Sequence, residues 1–353
     1  MSNLQQQSTS ILVTLASIVI IITGLKFAAP LLSQFLMALF IAVVCTPPIG
    51  WMESKKVPRG LAILIVLTVI MIFVYSVMVL VGDSINSFNS NKEFYIERLN
   101  TRFTDLVVWL DGIGAPIDSF EIKSLFEKID IMTLITQVVG GVGVIFGDFF
   151  IIFLSVIFLL AETTSFPSKF SKAFSNSKEK MFHVNHVLSK IRHYLAIKTI
   201  TSLITGVLAT ALLLIIEVDY PFLWGMVAFL LNYIPSIGSL IAAIPPLLLA
   251  LVQLGFGAFV WTGIGYFVIN NLIGNFVEPK LMGKMLGLST FVTFASLIGW
   301  GFIFGPIGMF LSVPLTMIIK ISLDTSEKTR WLGIMLGPEV EASEEVICVG
   351  QHK

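Results

Sequence analysis

Chemically active side chains are rare in the long apolar runs of this 353-residue chain. Between residues 222 and 319, Glu278 is the only acid. Asn271 and Asn275 stand one helical turn apart, and Glu278 follows Asn271 by seven residues, so the sequence predicts that the three share or adjoin one helix face. An acid at mid-membrane costs about 2.5–3.5 kcal/mol on insertion scales. This face is therefore expected to meet protein or water.

Two roles are open for the Glu278 carboxylate. It can bind a proton or a cation that drives transport, or it can be an interfacial carboxylate paired with Lys280 or Lys284. Asp148, in the stretch GVIFGDFF, is the second candidate for such coupling, with a place near the outer interface as its alternative. Ionisable groups inside membrane segments are uncommon, and they often mark the path of a substrate or ion.

Helix-breaking residues interrupt the apolar run from Phe222 to Val252, in the stretch NYIPSIGSLIAAIPP. Pro235 cannot donate a backbone N–H and disfavours helical geometry in the residue before it. Gly238 can adopt conformations closed to other residues. The pattern predicts a sharp turn between two half-length helices. Unpaired main-chain groups at that turn, with the Asn232 side chain, could bind an ion or a polar substrate.

A second apolar run is broken in the same way, in GWGFIFGPIGMFLSVP, where Gly305, Pro306 and Gly308 stand close together. Two interrupted segments of opposite sense point to a transport site, since irregular backbone at membrane depth is tolerated only beside protein or water. The alternative is two ordinary hairpins of complete spans with turns at the surface.

Composition sets the elements that must position these residues. The chain is 56% hydrophobic and 12% charged, whereas a soluble protein carries about 25% charged residues. We predict an all-α polytopic membrane protein with about six to eight transmembrane helices, two oppositely oriented re-entrant hairpins broken by Pro and Gly, and an external helical arm. Its apolar segments are 11–25, 27–46, 61–82, 142–161, 199–216, 222–252, 256–277 and 287–319.

Basic residues in the loops predict the orientation of the chain. Loop 47–60 carries three bases against one acid and loop 162–198 seven against two, whereas loop 83–137 carries five bases against nine acids. The first two loops are therefore expected in the cytoplasm and the third outside. The first two apolar segments are predicted to form a tight hairpin around Lys26 and Pro30, and counting crossings then places both termini in the cytoplasm.

Six parts follow from these boundaries. They are N-terminal transmembrane helices (1–82), an extracytoplasmic helical arm (83–141), a transmembrane helix (142–161), a basic amphipathic cytoplasmic helix (162–198), a transport core with the broken hairpins (199–320) and a cytoplasmic tail (321–353).

The basic helix carries an apolar stripe that we expect on the anionic inner membrane surface, formed by Val184, Val187, Leu188, Ile191, Tyr194 and Leu195. Its three histidines, His183, His186 and His193, fall near one face, but no carboxylate or thiolate completes a ligand set, so we predict no metal site. The external arm carries its own apolar stripe, which could pack on the spans of the same chain or on a neighbouring subunit.

Motifs for catalysis are absent from the sequence. There is no GxxxxGK[ST] loop for phosphate, no HExxH and no GxSxG. We therefore predict that the protein is not an enzyme and has no cofactor. Long apolar spans with broken hairpins favour a secondary transporter or a channel, with the lipid bilayer and a small molecule or ion as partners and no nucleic acid.

At its broken segments the sequence resembles the autoinducer-2 exporter family of bacterial membrane proteins. The stretches that carry the resemblance are NYIPSIG, AAIPPLLLAL, EPKLMGKMLGLS and FGPIGMFLSVPL, and the likeness spans nearly the whole chain. The resemblance implies a multi-pass protein of the bacterial cytoplasmic (inner) membrane that forms homo-oligomers, with the pentamer as the candidate form. It also implies export of a small polar signal such as autoinducer-2 (AI-2) in some members and cation/proton antiport in others.

On this basis Asn232, Pro235 and Gly238 are expected to form one tip of a substrate pathway. Gly305, Pro306 and Gly308 form the other tip, and Asn271, Asn275 and Glu278 line the space between them. The alternatives are a Na⁺(Li⁺)/H⁺ antiporter, a passive channel, and a membrane scaffold whose external arm binds partners.

Overall fold

The computed structural model of the protein describes residues 2–91, 93–95, 97–98, 101, 149–162, 177–235, 237–282, 287–325, 327 and 329–338. Within these residues all regular structure is helical, which confirms the predicted all-α class. The helices are α1 (Ser2–Ser54), α2 (Arg59–Ser90), α3 (Phe149–Glu162), α4 (Ser177–Ile216), α5 (Pro221–Leu231), α6 (Gly238–Leu254), α7 (Phe256–Asn270), a π-helix (Asn271–Val277), α8 (Glu278–Met282), α9 (Thr290–Thr325) and α10 (Arg330–Met335).

Five described helical segments are long and apolar enough to cross a membrane: Val19–Ser54, Arg59–Phe88, Leu188–Ile216, Phe256–Met282 and Thr290–Thr325. Three shorter apolar helices, α3, α5 and α6, accompany them. The chain forms two compact units. Unit 1 comprises Met1–Leu36, Phe170–Tyr194 and Met282–Lys353, and unit 2 comprises Met37–Lys169 and Leu195–Leu281.

The predicted hairpin at the N-terminus is wrong. Helix α1 runs for 53 residues without a turn and includes both apolar segments and Pro30. A proline removes only one backbone donor, and neighbouring groups can satisfy the carbonyl that it frees within a membrane helix. Because α1 has no hairpin, the count of crossings no longer places the N-terminus in the cytoplasm.

One core of unit 2 joins the second half of α1 to α2 and α3. Small side chains fill the α1 side at Ala38, Ala42 and Cys45, and Ala62 lies opposite on α2. Larger side chains from α3, including the fully buried Val156, complete the cluster. Small residues let membrane helices approach closely, and that close contact supplies the packing energy that lipid does not.

The larger core of unit 2 is built around α5, α6 and α7, with α2 and α4 packed against them. Its members include Trp224 on α5, Leu249 on α6, Tyr266 on α7 and Leu213 on α4, all nearly or fully buried. The cluster also contains five buried alanines, which let α4, α5 and α6 pack closely. This core positions the first broken segment.

Helices α4 and α5 come closest at two glycines. A Cβ atom on Gly225 would overlap the Thr210 hydroxyl and lie 2.7 Å from the carbonyl oxygen of Gly206. A Cβ on Gly206 would lie 2.8 Å from the carbonyl oxygen of Gly225. The two backbones therefore touch, and neither position has space for a side chain.

Gly225→Ala is expected to lower the melting temperature of the purified protein, because a methyl group forced into this contact must push α4 and α5 apart. Overpacking of this kind costs about 1–3 kcal/mol. Gly82→Ala on α2 is the matched control, since nothing lies within 4 Å of its Cβ position. Equal melting temperatures for the two variants would contradict the close helix contact.

Helix α4 is continuous from Ser177 to Ile216, so the predicted basic helix and the following span are parts of one helix. Three members of the predicted surface stripe, Ile191, Tyr194 and Leu195, are buried at 6%, 7% and 2% exposure. The expectation that this stripe lies on the membrane surface is therefore wrong for these residues. They pack against protein, which satisfies an apolar stripe as well as lipid does.

Candidate functional site

The first broken segment folds as predicted, into two helices that reverse direction at the Pro/Gly stretch. Helix α5 has 11 residues and α6 has 17, or about 16 and 25 Å at 1.5 Å per residue. Both are shorter than the roughly 30 Å hydrocarbon core. Gly238 is buried where the helices meet, and a Cβ there would collide with the Leu231 carbonyl.

The tip of this hairpin does not leave its described amides bare, which corrects the prediction of unpaired N–H groups. Asn232, Tyr233 and Ile234 donate to carbonyls of α5, and Ile237 donates to the Pro235 carbonyl at 2.6 Å. Gly238 donates to the Ile234 carbonyl. Hydrogen bonds to carbonyls a few residues earlier in the chain satisfy the N–H donors of this tight turn. A ligand at the tip would therefore be held by side chains.

Two tip side chains bind helix α4. Asn232 Nδ2 donates to Ser202 Oγ at 3.0 Å, and the Tyr233 hydroxyl bonds Thr199 Oγ1 at 2.8 Å. Tyr233 is 5% exposed and packs edge-on against Phe40 and Phe229. These contacts fix the tip against one turn of α4.

The same turn of α4 carries a buried ion pair that the sequence analysis did not identify. Lys198 Nζ lies 2.7 and 2.9 Å from the two carboxylate oxygens of Glu278. The side chains are 5% and 18% exposed. Glu278 was expected to pair with Lys280 or Lys284 if it had an interfacial role; its partner is instead a lysine 80 residues earlier in the chain.

Unit 2 thus gathers Asn232 and Glu278 around residues 198–202 of α4. Ser202 lies 14 residues before the end of α4 at Ile216, or about 21 Å along the helix. In the sequence, Lys198 is one of the seven bases of loop 162–198. The signal that could have identified it is its position directly before an apolar segment that begins with Thr199, Thr201 and Ser202.

Asn271 and Asn275 lie in the π-helix, and they pair with each other. Asn275 Nδ2 donates to Asn271 Oδ1 at 2.8 Å, and Asn271 Nδ2 donates to the Phe267 carbonyl at 2.9 Å. Asn275 is exposed and Asn271 half-buried. A π-helix holds more residues per turn than an α-helix, so a step of seven does not return Glu278 to their face. The predicted shared face therefore reduces to the two asparagines.

The second broken segment also reverses direction, and it belongs to unit 1. Within α9, Gly305 has φ 64° and ψ −146°, a conformation that only glycine adopts readily. Trp300 Nε1 donates to Thr316 Oγ1 at 3.0 Å across the two arms. A straight helix would separate these residues by about 24 Å. A Cβ on Gly308 would collide with the Trp300 carbonyl.

The tip of the second hairpin is more accessible than the first. Pro306 is exposed and Gly305 half-buried, whereas Gly308 is buried between the arms. The three predicted residues therefore divide into one packing position and two accessible tip positions.

Several predicted features lie outside the described residues. They are Asp148, Lys284, most of the external arm and the side chains of His183 and His186. Among the described residues, no group of three or more His, Cys, Asp or Glu side chains is arranged to hold a metal ion.

A second polar cluster of unit 2 fixes the loop between α4 and α5. The buried Tyr95 hydroxyl donates to Asp219 Oδ2 at 2.7 Å, and the Asp219 N–H donates to Gln253 Oε1 at 3.0 Å. Glu217 and Tyr220 in this loop have positive φ angles, which are unfavourable for residues other than glycine. Burial, with hydrogen bonds to Tyr220 and Asp219, raises the pKa of Tyr95 far above its usual value, so its phenol stays protonated.

Tyr95→Phe is expected to destabilise the protein by about 1.5–3 kcal/mol, the usual contribution of a hydrogen bond to a charged group. The measurement is the melting temperature in detergent. Tyr75→Phe is the control, because Tyr75 is 69% exposed. If both variants have the same melting temperature as the unmodified protein, the Asp219 contact does not stabilise this loop.

Comparisons with known proteins agree with this architecture. The profile of the AI-2E family of transporters matches residues 15–328. The chain is 37% identical to the "AI-2 transport protein TqsA" of Escherichia coli K12 over 326 residues, which cover 92% of this chain and 95% of that protein. It is 39% identical to a "Putative transport protein" of Haemophilus influenzae, with the same coverage, and 34% identical to the "Putative transport protein YhhT" of E. coli K12, with 93% and 94% coverage.

The profile match covers most of the chain, and the relatives align over nearly their whole length. Four unbroken candidate spans among the described helices, besides the bent segment Thr290–Thr325, give the multi-pass architecture that a transporter requires. The chain is a multi-pass membrane protein and belongs to the AI-2E family of transporters.

Proposed function

We propose that this protein is a secondary transporter that exports a small polar molecule, such as AI-2, across the bacterial cytoplasmic membrane, with Glu278 coupling transport to a proton or cation. The observation that carries the proposal is the buried Lys198–Glu278 pair beside the hairpin tip at Asn232. The protein also has a relative, TqsA, that is named for AI-2 transport.

The ion pair suits a switch because breaking it changes the surroundings of a buried charge. Neutralising Glu278 would leave the Lys198 ammonium, 5% exposed, without its counter-charge. The helix that carries Lys198 would then favour another arrangement. Asn232 and Tyr233 of the hairpin tip are hydrogen-bonded to α4, so such a change in α4 would release the tip.

Each broken segment is proposed to dip into the membrane without crossing it. Helix α5 is too short for a span, and its tip meets α4 about 21 Å from the end of that helix. Loop 162–198 is basic and α4 then crosses the membrane once, so the loop between α4 and α5 lies outside and this hairpin enters from outside. Lys280 and Lys284 precede α9, so that segment enters from the cytoplasm, where the C-terminus also lies.

Cysteine accessibility tests this arrangement. Single cysteines at Ile237 and Ile307, in a background without Cys45 and Cys348, should react with a small membrane-permeant thiol reagent and react slowly with a bulky impermeant one. Complete spans with surface turns would instead expose both positions to the bulky reagent, each from one side of the membrane.

An assembly of identical subunits, with the pentamer as the candidate form, is also proposed. The Asn271–Asn275 pair supports it, since Asn275 is exposed on a candidate span and a polar group facing lipid is costly. A neighbouring subunit or a watery passage would relieve that cost. Mass measurement of the purified protein in detergent tests the subunit number.

Na⁺(Li⁺)/H⁺ antiport is the second candidate function, and the Glu278 carboxylate is the observation that favours it. A metal cation bound there must displace the Lys198 ammonium, which already contacts both oxygens. A metal cation would therefore break the same ion pair as a proton on Glu278, and flux measurements distinguish the two functions.

Flux in proteoliposomes decides between these functions. Vesicles loaded with AI-2 and a panel of other small metabolites should lose at least one solute faster than protein-free vesicles, and a proton gradient should change that rate. Antiport predicts instead that a pH-sensitive dye responds when NaCl or LiCl is added. A channel would equilibrate solutes without accumulation, and no flux of any kind would contradict transport.

A further inference from the structure

Three hydrogen-bonding side chains in the core of unit 2 have no partner among the described residues: Trp224 Nε1, Thr262 Oγ1 and the Tyr266 hydroxyl. All three residues are almost completely buried. Trp224 is 1% exposed, Thr262 0% and Tyr266 2%. None of the three belongs to the Lys198–Glu278 cluster.

The three groups lie in one region. Thr262 and Tyr266 are one turn apart on the buried face of α7, and Tyr266 shares the large core with Trp224 of α5. Gly263 packs on Leu247 of α6, and Asp219 bonds Gln253. Helix α6 runs antiparallel to α5 and α7. Counting residues along these helices from the two contacts places Trp224 and Thr262 at the same level. Tyr266 lies one turn further from the loop that contains Asp219.

This level is well inside the span. Thr262 and Tyr266 are about 9 and 15 Å along α7 from Phe256, where the candidate span begins. Tyr266 therefore reaches about half of a 30 Å hydrocarbon core. Binding sites of secondary transporters typically lie near that depth, on short or broken helices.

An unpaired polar group in a protein interior costs about 1–3 kcal/mol, and buried polar groups in native proteins are nearly always bonded. Three such groups in one apolar core call for a partner that the described residues do not supply. We propose that Trp224, Thr262 and Tyr266 are the hydrogen-bonding groups of a solute-binding site in the span, and that its ligand is a small neutral molecule with several hydroxyl or carbonyl groups.

The chemistry of the three groups defines this ligand class. The indole N–H only donates, whereas the two hydroxyls both donate and accept, so the ligand must offer acceptors and donors. The sequence has no charged residue in 61–82, 199–216 or 220–277, so the helices around the three groups have nothing to neutralise an ion. Two aromatic rings add flat apolar surface, which suits a compact sugar-like solute and not a metal cation.

This inference rests on the proposed transport function and gives it a binding site distinct from the coupling pair. Thr262→Val and Tyr266→Phe each remove one hydroxyl while nearly keeping the volume of the side chain. Each is expected to raise the Kd for the transported solute about ten-fold, the loss of one hydrogen bond. The solute-free protein should be as stable as the unmodified one, or more stable.

The experiment measures the thermal shift of the full-length protein with AI-2, D-ribose, glycerol or NaCl, and efflux of the same solutes from proteoliposomes. We expect a shift with a hydroxylated probe and none with NaCl, and loss of that shift in both variants. Thr262→Ser, which keeps a hydroxyl, should restore it. Thr205→Val is the matched control, because its buried hydroxyl already bonds the Thr201 carbonyl at 2.9 Å.

Two results would overturn the site. Unchanged solute affinity with higher stability in the variants would show that the hydroxyls are merely buried, and unchanged affinity with lower stability would show that a structural water bonds them. Failure of the transport function looks different, since the unmodified protein would then move no solute while the thermal shift and its loss in Thr262→Val persisted. If neither Thr262→Val nor Tyr266→Phe folded, unaltered solute binding by Trp224→Phe would count against the site.

Discussion

Glu278→Gln is expected to abolish coupled transport and to lower the melting temperature strongly. The substitution keeps the size of the side chain but leaves the Lys198 ammonium, 5% exposed, without its counter-charge. Removing one member of a buried ion pair typically costs about 3–5 kcal/mol. Lys198→Gln should have an effect of the same size, because it strands the carboxylate instead. Solute efflux driven by a proton gradient and the melting temperature in detergent measure the two consequences.

The double variant Lys198→Gln/Glu278→Gln separates pairing from simple loss of charge. Two neutral amides can bond each other, so the double variant should be more stable than the sum of the single variants predicts. It should nevertheless remain uncoupled, because neither group can carry a proton. Lys280→Gln is the control, since Lys280 is exposed two residues from Glu278. Additive single effects would show that the two charges do not interact.

Alanine at Gly238 or Gly308 is expected to prevent correct folding of the corresponding hairpin. A Cβ on Gly238 would lie 2.7 Å from the Leu231 carbonyl carbon, and one on Gly308 would lie 2.6 Å from that of Trp300. Both obstacles are backbone, so no side-chain rotation relieves them. The cost should exceed the roughly 1–3 kcal/mol of ordinary overpacking. Yield of monodisperse protein and melting temperature report the effect.

Gly257→Ala and Gly299→Ala are the matched controls, with nothing within 4 Å of either Cβ position. Both glycines lie inside helices, where alanine is the better helix former by about 1 kcal/mol, so these variants should be as stable as the unmodified protein or more stable. Hairpins that tolerate Gly238→Ala and Gly308→Ala as well as the controls would not have the close helix contacts described for both tips.

Local chemistry made both chain reversals predictable. Pro235, Pro306 and Gly305 restrict or free the backbone by their own covalent structure. Gly238 and Gly308 have no left-handed φ, and they are needed because a Cβ atom would collide with the facing arm. The N-terminal hairpin failed as a prediction because a single proline and one lysine are weaker signals. Helix α1 accommodates Pro30 at the loss of one hydrogen bond, and Lys26 lies 3.8 Å from the centre of the Phe302 ring within unit 1.

The partners of the polar residues could not be predicted in the same way. Lys198 and Glu278 are 80 residues apart, and nothing in the spacing of either residue indicates the other. The π-helix was also hidden, since Asn271 and Asn275 fit an α-helical pattern equally well. Its wider turn separates them from Glu278 and lets the carboxylate meet α4.

The sequence by itself determined that the chain is helical, that it lies in a membrane, that it reverses at two glycine-proline tips and that it belongs to this transporter family. These properties depend on residue type and on neighbours within one or two turns. The tertiary structure alone decided which polar groups meet: Lys198 with Glu278, Asn232 with Ser202, and a threonine, a tyrosine and a tryptophan left unpaired in the core of unit 2. Such contacts depend on how helices distant in sequence pack, and packing is set by the shapes of many side chains together.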